Sequence, residues 1–108
     1  MSINTLISIL TDAMEDIKAK DIVILDVRKS STVTDYMMLA TGMSNRQVNA
    51  IAKNVVDKGK NAGYRPMGME GEREGEWVLV DFGDVVVHVM QADTREFYQL
   101  EKLWADFE

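Results

Sequence analysis

Over the first twenty residues, apolar side chains return every three or four positions: Ile3, Leu6, Leu10, Met14 and Ile17. That spacing lines them along one helical face, with Asp12, Glu15 and Lys18 on the other. It predicts an amphipathic helix from about Ser2 to Lys20, capped by Ser2 or Thr5. The period then shortens. "DIVILDVR" (21–28) is β-branched and bounded by charge, so it reads as a strand. "DYMMLATG" (35–42) reads as a second strand ending at Gly42, with "KSSTVT" as the connection. Helical spacing resumes after Ser44, which forms a capping box with Gln47. Val48, Ile51, Ala52 and Val55 make the buried stripe, and Gly63 suits the left-handed position past the helix end. Gly59 weakens the last turn by about 1 kcal/mol relative to Ala.

The second half is less periodic at first. Pro66 in "YRPMGMEGEREGE" (64–76) limits hydrogen bonding, so an edge strand or loop is expected there. Two apolar runs follow in "GEWVLVDFGDVVVHVM" (75–90), read as two strands joined at Phe82-Gly83. A two-residue loop sets Asp81 opposite Asp84 and Trp77 opposite His88. Val78, Val80, Val85, Val87 and Val89 then share an apolar core face. Trp77, Leu79, Asp81, Asp84, Val86, His88 and Met90 share the other. A slip of one residue would exchange the two faces. The chain closes on a helical pattern from Thr94, a possible cap, with a stripe of Phe97, Leu100, Trp104 and Phe107. Helix, two strands, helix, about three strands and helix predict an α/β fold, a mixed sheet with packed helices.

Composition narrows the function. The 108 residues suit one domain with a modest core. No apolar run approaches the roughly 20 residues of a membrane span. The first residues lack a basic region and a cleavage site, so no signal peptide is expected. There is no cysteine, which excludes thiolate zinc sites and cysteine nucleophiles, and a cytoplasmic setting is expected. Twelve basic against eighteen acidic residues leave a net charge of −6, a poor match for phosphate backbones and a good one for a basic protein. Direct nucleic-acid binding is not expected.

Three features carry candidate chemistry. Asp81 and Asp84 could share a Mg²⁺ ion across a hairpin, or simply bracket a turn, where Asp is common. His88, the only histidine, could be a general base. It lacks a Ser or Cys nucleophile and a second ligand, so an aromatic partnership with Trp77 reads better. Gly42-x-Ser44 at a helix start could cradle a phosphate, but it lacks the lysine and glycines of a P-loop, and Ser44 as a cap is the better reading. Trp77 and Tyr98 read equally as interface anchors and as core. Met37, Met38, Met43, Met67 and Met69 flank the sheet, and such adaptable side chains suggest a homodimer.

Taken together, "TDYMMLATGMSNRQVNAIA", Glu70-Gly71, "EWVLVDFGDVVVHVM" and "REFYQLEKLW" resemble the ribosomal silencing factor family, also called Iojap-like. The resemblance runs from about Asp21 to Trp104 without a departure from the pattern. It implies a fold similar to nucleotidyltransferases without their catalytic acids, no cofactor and no catalysis. It also implies binding to the fourteenth protein of the large ribosomal subunit, a steric block to subunit joining, lower translation when nutrients are scarce, and a tendency to dimerise. On that reading Trp77, His88, Tyr98 and Leu100 are the anchors. Asp81, Asp84 and Glu101 meet basic groups, and Arg95 pairs with an acid to hold the helix start. The alternatives are a nucleotidyl- or phosphoryl-transfer enzyme using Asp81, Asp84 and the Gly42–Ser44 turn, and a dimeric adaptor with another partner.

Overall fold

The computed structural model describes residues 3–29 and 34–99. The first helix, α1 (Ile3–Asp16), buries Leu6, Leu10, Ala13 and Met14, the expected stripe. Thr5 lies within it rather than at its cap. It stops short of Lys20 because Lys18 adopts a left-handed φ of 61°, and the Ala19 amide turns back to the Met14 carbonyl at 3.0 Å. Strand β1 (Lys20–Asp26) therefore starts at once, with a register irregularity between Lys20 and Val23. Strand β2 (Tyr36–Gly42) leads into α2 (Asn45–Asn61).

Helix α2 starts as its sequence requires. Ser44 Oγ accepts the Gln47 amide at 3.1 Å, and the Gln47 side chain accepts the Met43 amide at 2.6 Å. Gln47 Nε2 also donates to the carbonyls of Ile17 and Lys18, so the cap ties the start of α2 to the end of α1. Gly63, with φ of 93°, ends the helix as expected. Gly59 is more than a weak spot: a Cβ there would sit 2.8 Å from the Phe82 ring, which packs against α2 at this point.

The remaining elements are β3 (Gly68–Glu70), β4 (Trp77–Asp81), β5 (Val85–Gln91) and α3 (Ala92–Tyr98). The sheet order is β1-β2-β5-β4-β3, so β3 is the edge strand anticipated after Pro66. The β2–β5 pair is parallel and the other three are antiparallel, which makes the sheet mixed. Both long helices pack on one face, over Met38, Ala40, Val78, Val80, Val85, Val87 and Val89. Alternation sends Met37, Leu39 and Met90 to the other face, where they cluster with Val27 and the edges of Leu25 and Trp77.

The β4–β5 register differs from expectation by two residues. Trp77 pairs with Met90, Leu79 with His88 and Asp81 with Val86. A tight two-residue turn of the favoured type needs positive φ at both positions. Among the described residues of the connection only Gly83 has it, at 89°. The loop therefore widens to residues 82–85, closed by the Phe82 amide on the Val85 carbonyl at 2.9 Å. A shift of two preserves the faces. A shift of one would turn one strand over and take either Val78 and Val80 or Val85, Val87 and Val89 off the core face, each worth about 1.5–3 kcal/mol.

Candidate partner-binding surface

Strands β2 and β5 run in the same direction, so their C-terminal ends share one end of the sheet with the start of β4. Helix α3 leaves β5 at that end and brings an aromatic row together. The Phe97 ring meets Tyr98 edge-on at a centroid distance of 5.0 Å. Tyr98 lies 4.9 Å from Trp77, and Trp77 lies 5.8 Å from His88. Exposure falls along the row. Phe97 is 80% exposed, Tyr98 52%, Trp77 half-buried and His88 5%.

Phe97 was expected on a buried stripe. The helix is shorter than that stripe requires: it begins at Ala92, with Gln91 rather than Thr94 at its cap, and ends at Tyr98. Gln99 takes a left-handed conformation there without glycine's help, so no residue type announces the stop. The expected anchors Leu100 and Glu101, with Trp104 and Phe107 of the stripe, lie outside the described residues.

His88, expected as an anchor, is buried beneath Trp77. Its Nδ1 accepts the Trp77 indole N–H at 2.9 Å. Burial pushes its pKa down to about 4, so the ring is neutral near pH 7. A neutral imidazole with an accepting Nδ1 carries its proton on Nε2. That Nε2 is buried and has no hydrogen-bond partner among the described residues. An orphaned buried donor costs about 1–3 kcal/mol.

Arg95 holds α3 in place. It is buried, and its Nη1 donates to the Asp21 carbonyl at 2.6 Å and to Thr41 Oγ1 at 2.9 Å. The helix start is thus tied to β1 and β2 through a carbonyl and a hydroxyl.

The acids occupy the other end. Asp81 does not face Asp84. Its Oδ1 accepts the Gly83 amide at 2.7 Å, the turn role that Asp commonly fills. Exposed Asp84 sits in the loop, where its carbonyl accepts the amides of Asp35 and Tyr36 at 3.0 Å each. Asp81 stands four residues along β4 from Trp77, about 13 Å at strand rise. Gly42 and Ser44 stand at the aromatic end, about 20 Å from Asp84, because β2 runs the length of the sheet between them. The Gly42–Ser44 turn and the two acids are therefore not brought together. No group of three or more His, Asp or Glu residues that could hold a metal is found among the described residues.

The methionines divide in a similar way. Met37 and Met38 are core residues, and Met69 is partly buried. Only Met43 and Met67 of the five are well exposed, at opposite ends of the sheet. The described residues contain no helix long and apolar enough to cross a membrane.

Comparison with known proteins gives a consistent result. Residues 1–108 match the family described as "Ribosomal silencing factor during starvation". A ribosomal silencing factor of Haemophilus influenzae is 47% identical over 93% of this chain and 98% of its own length. One of Chromobacterium violaceum is 50% identical over 96% of this chain and 85% of its own. A crystal structure of a Chromobacterium violaceum protein superposes with a TM-score of 0.95 at 50% identity, covering 97% of this chain and 88% of that one.

Proposed function

This chain belongs to the ribosomal silencing factor family, and from that premise we propose that it binds the large ribosomal subunit through its fourteenth protein. Bound there, on the face that meets the small subunit, it blocks subunit joining sterically and lowers translation when nutrients are limited. It works in the cytoplasm as one domain, without cofactor or catalysis, and self-associates as a homodimer.

The observation that supports this reading is the graded aromatic row Phe97–Tyr98–Trp77, exposed at one end of the sheet and braced from behind. Aromatic residues of this kind dominate interface energetics when a partner desolvates them. Trp77 and Tyr98 are the anchors, with Phe97 added. Asp81, about 13 Å from Trp77, and Asp84, about 20 Å from the aromatic end, form an acidic rim and steer a basic partner more than they hold it. Arg95 supports the surface from below. Leu100 and Glu101, outside the described residues, belong to the same proposed partner-binding set.

The test is co-sedimentation with isolated ribosomal subunits. The chain should travel with large subunits and not with small ones, and Trp77→Ala should abolish that. Equal binding to both subunits, or wild-type binding by Trp77→Ala, would refute the proposal. Sedimentation equilibrium at tens of micromolar, a concentration chosen for a modest interface of roughly −7 kcal/mol, tests the dimer separately.

A further inference from the structure

The bond between Trp77 and His88 poses a problem for a purely structural account. His88 sits in the middle of β5, in register with Leu39 on one side and Leu79 on the other, on the face away from α1 and α2. It is 5% exposed. Leu, Met or Phe would fill such a site without stranding a polar hydrogen. The histidine satisfies one nitrogen through Trp77 and leaves the other, Nε2, without a partner among the described residues. Folds break local rules of this kind mainly where a site is being arranged for use.

The bond has a clear geometric effect. It fixes the Trp77 indole from the inside through Nε1, while Tyr98 packs against the ring 4.9 Å away at a tilt of 50°. An aromatic ring held by two contacts has little freedom left to lose when a partner arrives, and that ordering cost is then met in advance. We propose that His88 is a positioning residue for the partner-binding surface: its Nδ1 fixes the Trp77 indole in the pose that the partner meets, without touching the partner itself. This rests on the reading of Trp77 as an anchor. It also defines the chemistry offered. Nε1–H is the only polar group of an indole, and here it is already used. The ring presents only carbon and its π face outward, which suits an aliphatic side chain or the stem and cation of Arg or Lys, not a hydrogen-bond acceptor.

Three variants separate the possibilities: His88→Leu, which removes the acceptor; His88→Asn, whose Oδ1 can replace Nδ1; and Trp77→Ala. Each is measured for its urea midpoint and for co-sedimentation with large subunits. The ¹H–¹⁵N indole resonance of Trp77 and its exchange protection are followed in the two His88 variants. His88→Leu should keep or raise the urea midpoint, lose indole protection, and bind about tenfold more weakly. His88→Asn should recover the protected resonance and most of the affinity. If Leu does not fit, the more flexible His88→Met serves the same arm. Wild-type affinity in His88→Leu alongside impaired Trp77→Ala would overturn the role of His88 alone. So would a lowered midpoint with unchanged binding by the folded fraction, which is the behaviour of a merely structural histidine. Wild-type binding by Trp77→Ala would overturn the surface itself, and His88's role with it.

Discussion

Removal of the Tyr98 ring distinguishes a binding surface from a core most sharply. Tyr98 is 52% exposed, so roughly half its area is withdrawn from water in the free chain. Burying half of a large side chain is worth about 1 kcal/mol, and the ring contact with Trp77 adds about 0.5–1 kcal/mol. Tyr98→Ala should therefore cost about 1–2 kcal/mol of stability. With a urea slope near 1.5 kcal/mol/M for a small domain, the midpoint should fall by about 1 M. Loss of an interface anchor should cost at least about 2 kcal/mol of binding, roughly thirtyfold in affinity for large subunits. Both are measured on one preparation, with binding assayed in the absence of urea. Tyr98→Phe keeps the ring and should stay close to wild type in each. A midpoint loss of about 3 M or more, or affinity within threefold of wild type, would refute the assignment of Tyr98 to the partner rather than to the interior.

Ser44→Ala removes the acceptor for the Gln47 amide and should lower stability by about 1 kcal/mol, read as a urea midpoint shift, with large-subunit affinity unchanged. Gly71→Ala should lower both, because φ is +90° there and the new Cβ would meet the Trp77 carbonyl oxygen at 2.0 Å, displacing the start of β4; an unchanged indole resonance would contradict this. Between about pH 4 and 6.5 the unfolded chain binds a proton at His88 that the folded chain does not. Stability should therefore rise with pH across that window, by up to about 3 kcal/mol, and level off above it. Wild-type urea midpoints should show this component and His88→Leu should lack it.

Features set by neighbouring residues were legible in the sequence. The α1 stripe, the Ser44–Gln47 cap and Gly63 each depend on residues within one helical turn. The two faces of the β4–β5 pair were legible because side-chain direction depends only on parity. Their register was not, since it depends on the backbone of Phe82, whose type does not disclose φ. The limit of α3 was hidden for the same reason at Gln99. The sequence brought Trp77 and Tyr98 forward as interface candidates, but not their mutual packing, which needs β5 to lie between β2 and β4. The same turn backbone accounts for the misplaced acids: Asp84 became a loop residue once the register moved. Gly59 read as a defect until Phe82 could be seen against it, a contact between residues remote in sequence.

The parallel pairing of β2 with β5 has a consequence in time. Tyr36 must find Val85, and Gly42 must find Gln91, across an intervening helix and hairpin. Closing so large a loop costs entropy before any contact repays it, whereas the α1–α2 and β4–β5 contacts need shorter closures. The hairpin is therefore expected to form early and to dock against β2 late, as the slow step. Helix α3 is anchored by Arg95 to Thr41 on β2 and follows β5 directly, so it reaches its place only with that docking. The aromatic row is thus among the last parts to be assembled, and α1 and α2 are packed together before the surface that would meet a partner exists.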